Sequence, residues 1–306
     1  MATPPAIAPG SPGAVGAEPL VRAQVGLWGD AWRRLRRNRL ALLAAIYLLL
    51  LIGVALLAIV YTPYSISHTG VGETYGPPST SHLLGLDNLG RDILSRLMVG
   101  AQISLIVGIG TQIVVLAVGV PLGLAAGYFR GWVDTVVSFV INVFYGIPDL
   151  LVALILITVL SLGKPSLDKI IIAIAATRWM DMARLTRGQT LSLREREFIE
   201  ASRSSGARPF KILFGHLFPN ALGPIIVQAT FGIPQAILFE AFLSFLGLGV
   251  PPPTPSWGAM AADGVHSLRI APHIVLAPSI ALIFTLMAFN FVGDGLRDAL
   301  DPRQRR

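Results

Sequence analysis

The sequence predicts an all-α integral membrane protein with about six transmembrane helices. Three observations carry this. Of 306 residues, 53% are hydrophobic and 13% charged, about half the charged share usual in a water-soluble domain. Several apolar runs approach the roughly 20 residues that a helix needs to cross about 30 Å of hydrocarbon. The basic residues are also shared unequally among the segments between those runs, which is the mark of membrane topology.

Residues 1–31 open with MATPPAIAPGSPGAVGAEPL, mostly Ala, Pro and Gly. Such a stretch buries too little apolar surface to offset its ordering entropy, so a disordered tail is expected. The basic WRRLRRNR that follows and the apolar run 40–60 resemble a secretion signal only superficially. The run is too long for a cleaved segment, and YTPY after it offers no small-residue cleavage site. An uncleaved first span is therefore expected at 40–60. Further spans are expected at 102–127, 134–160, 169–186, 221–247 and 273–293, so that 32–303 forms one membrane domain with a short tail at 304–306. The fourth run is the least apolar, because Arg178, Asp181 and Arg184 interrupt it.

Six spans put both termini on one side. If that side is the cytoplasm, 18 of the 24 Lys and Arg residues fall inside and 5 outside, with Arg178 within a span. The positive-inside rule then orients the chain and places 187–218 in the cytoplasm. The net charge of +7 comes from arginines flanking apolar runs, with no exposed aromatics between them, so no nucleic-acid partner is expected. Two sizeable loops, 61–100 and 248–272, face outward. The second contains three successive prolines at 251–253, which favour an extended segment. Trp257 beside them suits the membrane–water boundary.

The segment REREFIEASRSSGARPFKILFGHLFPN, 194–220, is charged and helix-prone inside an otherwise apolar chain. It reads as helix, turn, helix. Ala201 and Ser202 give a small-residue face, Gly206 supplies the positive φ that ends the first helix, and Pro209 suits the first turn of the second. Pro219 marks where the next span begins. Glu200 offers a charge to a basic partner across a close contact. The plainer reading is a solvated loop whose basic residues only set topology.

Glu200-Ala201-Ser202, then Gly206 and His216-Leu217-Phe218-Pro219, resembles the EAA loop of ABC-importer permeases. Ser202 stands where that family usually has alanine, and Phe218 where it usually has leucine. The blocks WRRLRRNRLALLA, LGLDNLGRDILSRLMVGAQISL, FLSFLGLGVPPPTPSWGAM and FNFVGDGLRDALDPR are similar to the C-type permease of dipeptide, oligopeptide and nickel importers. The resemblance covers nearly everything from Trp32 to Arg303. It implies the type I importer permease fold, a plasma (inner) membrane location, and Glu200, Ala201, Ser202, Gly206 and Pro219 as the ATPase-coupling loop. It further implies a second related permease as heterodimer partner, two cytoplasmic ATPases or one fused pair, and an extracytoplasmic substrate-binding protein. The expected cargo is peptides, with nickel or another small solute as the alternative. An ion-driven secondary transporter and a non-transporting scaffold are rival classes.

Motifs for chemistry within the chain are absent. Gly163-Lys164 lacks the upstream glycine of a phosphate loop and runs into Pro165, so ATP and Mg are expected only in partner subunits. There is no cysteine, the five histidines show no metal spacing, and no Gly-x-Ser-x-Gly elbow occurs, so no cofactor, metal or hydrolytic centre is expected. Within the spans, Gly119, Gly123 and Gly127 form a small-residue stripe suited to close helix packing. Asp149, after Pro148, either lines the transport path or caps the helix beyond the proline. Gln228, Glu240 and Asn290 are further candidates for the path.

Overall fold

The computed structural model describes residues 27–70, 72–161 and 166–300. Among them the regular structure is helical, apart from one isolated bridge between Leu86 and Asp92. The helices are α1 (Leu27–Arg37), α2 (Arg39–Val60), α3 (Ile93–Phe129), α4 (Gly131–Tyr145), α5 (Asp149–Ser161), α6 (Leu167–Arg194), α7 (Glu197–Ser204), α8 (Pro209–Ile212), α9 (Phe218–Phe245), α10 (Trp257–Val265) and α11 (His273–Leu300). A π-helical turn, Leu213–Leu217, joins α8 to α9 without a break.

Four helical stretches are long and apolar enough to cross a membrane: α2, α3, Pro209–Phe245 and α11. The expected span 134–160 is not one straight helix. α4 and α5 together are apolar enough for a crossing but meet at 93°, because Pro148 cannot continue the helix and restricts the residue before it. The expected span 169–186 is the middle of α6, whose 28 residues reach about 42 Å despite its charges. Six is therefore an approximate count. Helix α3 starts at Ile93, nine residues before the expected 102, so the loop after α2 is correspondingly shorter. Residues 1–26 of the expected disordered tail lie outside the described residues. Residues 27–31 of it belong to α1, which is helical through to the break at Asn38. The Asn38 side chain accepts from the Ala41 amide at 3.2 Å and starts α2.

Helix α3 is the hub, and its glycine stripe explains why. A Cβ on Gly119 would lie 2.7 Å from the Trp179 carbonyl oxygen, and one on Gly127 would lie 2.6 Å from Thr190 Cβ. Backbone therefore meets backbone along α3 and α6, which is how helices associate in lipid without a hydrophobic driving force. Between α2 and α3, Asp87 gathers the first long loop. Its Oδ1 accepts from the Leu89 and Arg91 amides at 2.8 and 2.9 Å, and its Oδ2 from Arg91 Nε at 2.6 Å. Asp92 caps α3 through the Ser95 amide at 2.8 Å. Trp257 is not a boundary anchor. It is 1% exposed, lies against Gly100, and donates from Nε1 to the Leu97 carbonyl at 3.0 Å. The indole is covered because α10 folds back onto α3 and α9.

Candidate functional site

The loop between α6 and α9 is built from the end of α6, from α7 and from the start of α8. Ile199 is the buried residue of α7, and it packs with Leu124, Ile212, Leu213 and Leu217 in one cluster. One side chain thus fastens a two-turn helix to the bundle. Beyond Ser204 the helix ends in a Schellman motif: the Ala207 amide reaches the Ser202 carbonyl at 3.1 Å and the Gly206 amide the Arg203 carbonyl at 2.9 Å. Gly206 takes φ +75°. Pro209 then occupies the first turn of α8. The chain does not restart at Pro219, since Pro209–Phe245 is a single helical run; a proline in the first turn of α9 follows the π turn without interrupting it.

The outward face of this loop is open. Glu200 and Ala201 are exposed and Ser202 half-buried. Phe198 on α7 and Phe210 and Phe214 after it are also exposed, at 44%, 73% and 50%, and Phe210 stacks on Phe214 with ring centroids 5.6 Å apart. Sequence reasoning missed these three. The spacing of Phe210, Phe214 and Phe218, four residues apart on one helix face, was the available signal. An acidic side chain, a small-residue notch and an apolar rim together suit a protein partner.

A second polar site lies at mid-depth, where α6 faces the bend between α4 and α5. Arg178 stands about 17 Å along α6 from Leu167. An unpaired charge there costs roughly 2.5–3.5 kcal/mol on insertion scales, and the charges do pair. Arg178 Nη2 lies 3.2 Å from Asp149 Oδ2. The Tyr145 hydroxyl donates to Asp181, and the Arg184 guanidinium sits 4.2 Å from the Tyr145 ring centroid. Asp149 and Arg178 keep 48% and 27% side-chain exposure on a cavity of about 280 Å³ that Tyr145 and Asp181 also line. Asp149 also accepts from the Leu150 amide at 2.9 Å, at the start of α5. Gln228 lies on a smaller cavity across Arg178 and Asp181, and Asn290 is exposed on α11.

Glu240 is placed differently. It is 0% exposed, and its Oε1 accepts from the hydroxyls of Ser244 and Ser256, both at 2.7 Å. Ser256 Oγ in turn accepts from the Ala259 amide at 3.1 Å and caps α10. The side chain is thus enclosed in a knot that ties the end of α9 to the cap of α10, away from the two cavities beside Arg178.

Comparison with known proteins fits this architecture. Residues 119–306 match the family described as "Binding-protein-dependent transport system inner membrane component", and residues 26–78 match the "N-terminal TM domain of oligopeptide transport permease C". The chain is 41% identical to the oligopeptide transport system permease protein OppC of Bacillus subtilis (strain 168) over 298 residues, 97% of each chain. It is 41% identical to the dipeptide transport system permease protein DppC of the same organism, covering 95% of this chain and 90% of that one. It is 43% identical to the glutathione transport system permease protein GsiD of Escherichia coli O6:H1, covering 95% and 96%. Among solved structures, the MetNI methionine ABC transporter in an inward-facing conformation superposes with a TM-score of 0.58 at 21% identity, over 67% of this chain and 96% of that one; this likeness concerns the fold. A helical membrane bundle carrying the exposed helix α7, matched along nearly its whole length by such permeases, belongs to the binding-protein-dependent ABC-importer permease family, in its C-type branch.

Proposed function

We propose that this permease imports peptides, forming half of a pathway whose other half is a second, related permease. The relatives' names concern oligopeptides, dipeptides and glutathione, which supports peptide over nickel as cargo. An extracytoplasmic binding protein delivers the solute. Two cytoplasmic ATPases, separate or fused, bind ATP and Mg and perform the hydrolysis; this chain has no ATPase site and holds no cofactor. Both termini and α7 face the cytoplasm, in keeping with 18 basic residues on that side against 5 on the other. The membrane domain spans 32–303, with helix α1 leading into it from Leu27.

The observation that carries the coupling role is the exposure of α7. This helix hangs on Ile199 and turns Glu200 and Ala201 outward, with Phe198, Phe210 and Phe214 also exposed. In the proposed assembly α7 inserts into a groove of the ATPase, with Glu200 paired to a basic residue there. Ala201 and Ser202 permit close approach, while Gly206 and Pro219 set the course of the chain beyond. Motion of the ATPases on binding ATP is then passed to the bundle, which changes the access of the pathway from outside to inside. The test is Ala201→Trp. Because Ala201 is exposed, the variant is expected to fold and reach the membrane at normal levels, yet to lose retention of the ATPase subunits in the purified complex. Full retention with normal uptake would remove α7 from the coupling role.

A further inference from the structure

We propose that Arg178 and Asp181 form a two-sign pair in the water-filled part of the pathway, where they meet the carboxylate and ammonium ends of a zwitterionic solute. This rests on the peptide-import reading and assigns the recognition to particular side chains of α6.

The two residues sit three apart on one helix, so their Cβ atoms are about 5–6 Å apart. Two extended residues of a peptide span about 7 Å, a comparable distance. Both residues line both mid-depth cavities, one bounded by the α4–α5 bend and one by Gln112, Gln228 and Gln235. They therefore stand at the partition between the two. Their own ties are few. Arg178 is held by a half-open carboxylate, Asp149 at 3.2 Å, and by the face of Phe239, 5.1 Å from its Cζ. Its Nε is buried without a hydrogen-bond partner. Asp181 accepts from the neutral Tyr145 hydroxyl, with Arg178 and Arg184 each three residues away on the same helix. The far wall offers uncharged amides. Gly232 belongs to this arrangement, since any Cβ there would overlap the Gln112 amide.

A pair serving only to hold helices together would be enclosed, as Glu240 is with its two serines. At mid-depth a half-exposed ion pair needs water or a polar partner, and here it borders cavities on both sides. In this arrangement Asp149 is the resting counter-ion of Arg178. The solute carboxylate replaces it, while the solute ammonium engages Asp181.

The test uses the whole importer, reconstituted with its binding protein. This chain has no native cysteine, and the partner subunits are made cysteine-free. A reporter cysteine at the exposed Gln235 is treated with cationic and anionic thiosulfonates of equal size. It is expected to react in at least one nucleotide state. Arg178→Gln should raise, and Asp181→Asn lower, the cationic-to-anionic rate ratio by about threefold or more, as removal of a charge within a Debye length does. With the binding protein saturated, each variant should also cut turnover of a free-termini dipeptide about tenfold, equivalent to about 1.4 kcal/mol on the barrier. The double exchange Asp149→Arg with Arg178→Asp should restore assembly without restoring turnover. A cysteine unreactive in every state, an unmoved rate ratio, or full turnover in the exchanged protein would overturn the assignment. Charge-sensitive labelling in an importer that carries no peptide at all would uphold the lining and overturn peptide import.

Discussion

Gly206→Ala isolates the backbone geometry at the end of α7. The residue takes φ +75°, and an added Cβ would meet nothing within 4 Å. No packing term enters, so the cost is the local penalty for an L-residue in the left-handed region, about 1–2 kcal/mol. That energy corresponds to a shift of roughly 5- to 30-fold in the closed-to-open ratio of the helix end. The amides that report it are those of Gly206 and Ala207, bonded to the Arg203 and Ser202 carbonyls at 2.9 and 3.1 Å. Hydrogen exchange at these two amides is expected to accelerate by that factor, with the α3–α6 contact unaffected. Gly206→Asn should show a smaller effect, because asparagine tolerates the left-handed region better. Equal protection in the parent and the alanine variant would refute the reasoning, as would an asparagine variant worse than alanine.

Two other outcomes test topology and packing. A cysteine at Ser204 should resist an impermeant maleimide in intact cells while one at Thr254, beside the outer cavity, reacts; the reverse pattern would invert the chain in the membrane. Gly123→Val should lower the amount of assembled permease severely, since even a Cβ there lies 2.5 Å from the Ala183 carbonyl oxygen, and normal levels in a membrane fraction would contradict the close α3–α6 contact.

The features legible in the sequence were those written in contiguous residues. The apolar runs, the helix end at Gly206 and the glycine stripe are local patterns with local causes. The bend between α4 and α5 was partly legible, because Pro148 was visible, but an average over an apolar window does not register direction. Trp257 went astray because its type suits an interface, while its burial depends on α10 folding back over Gly100. Asp149 was visible beside its proline, yet its counter-ion Arg178 lies far off in sequence and is met only through the bend. Glu240 and its serines were invisible as a unit for the same reason, since Ser256 belongs to another loop.

The uninterrupted run from Pro209 to Phe245, 37 residues long, reaches about 55 Å. One end adjoins α7, and the other is fastened through Glu240 to the cap of α10. It is therefore a rod that links α7 to the cap of α10 along one helical run. Pro224 and Pro234 lie within it and each removes a backbone hydrogen bond, so the rod carries two joints. In the proposed coupling role, a push at the α7 end would accordingly swing the far end as well as lift it.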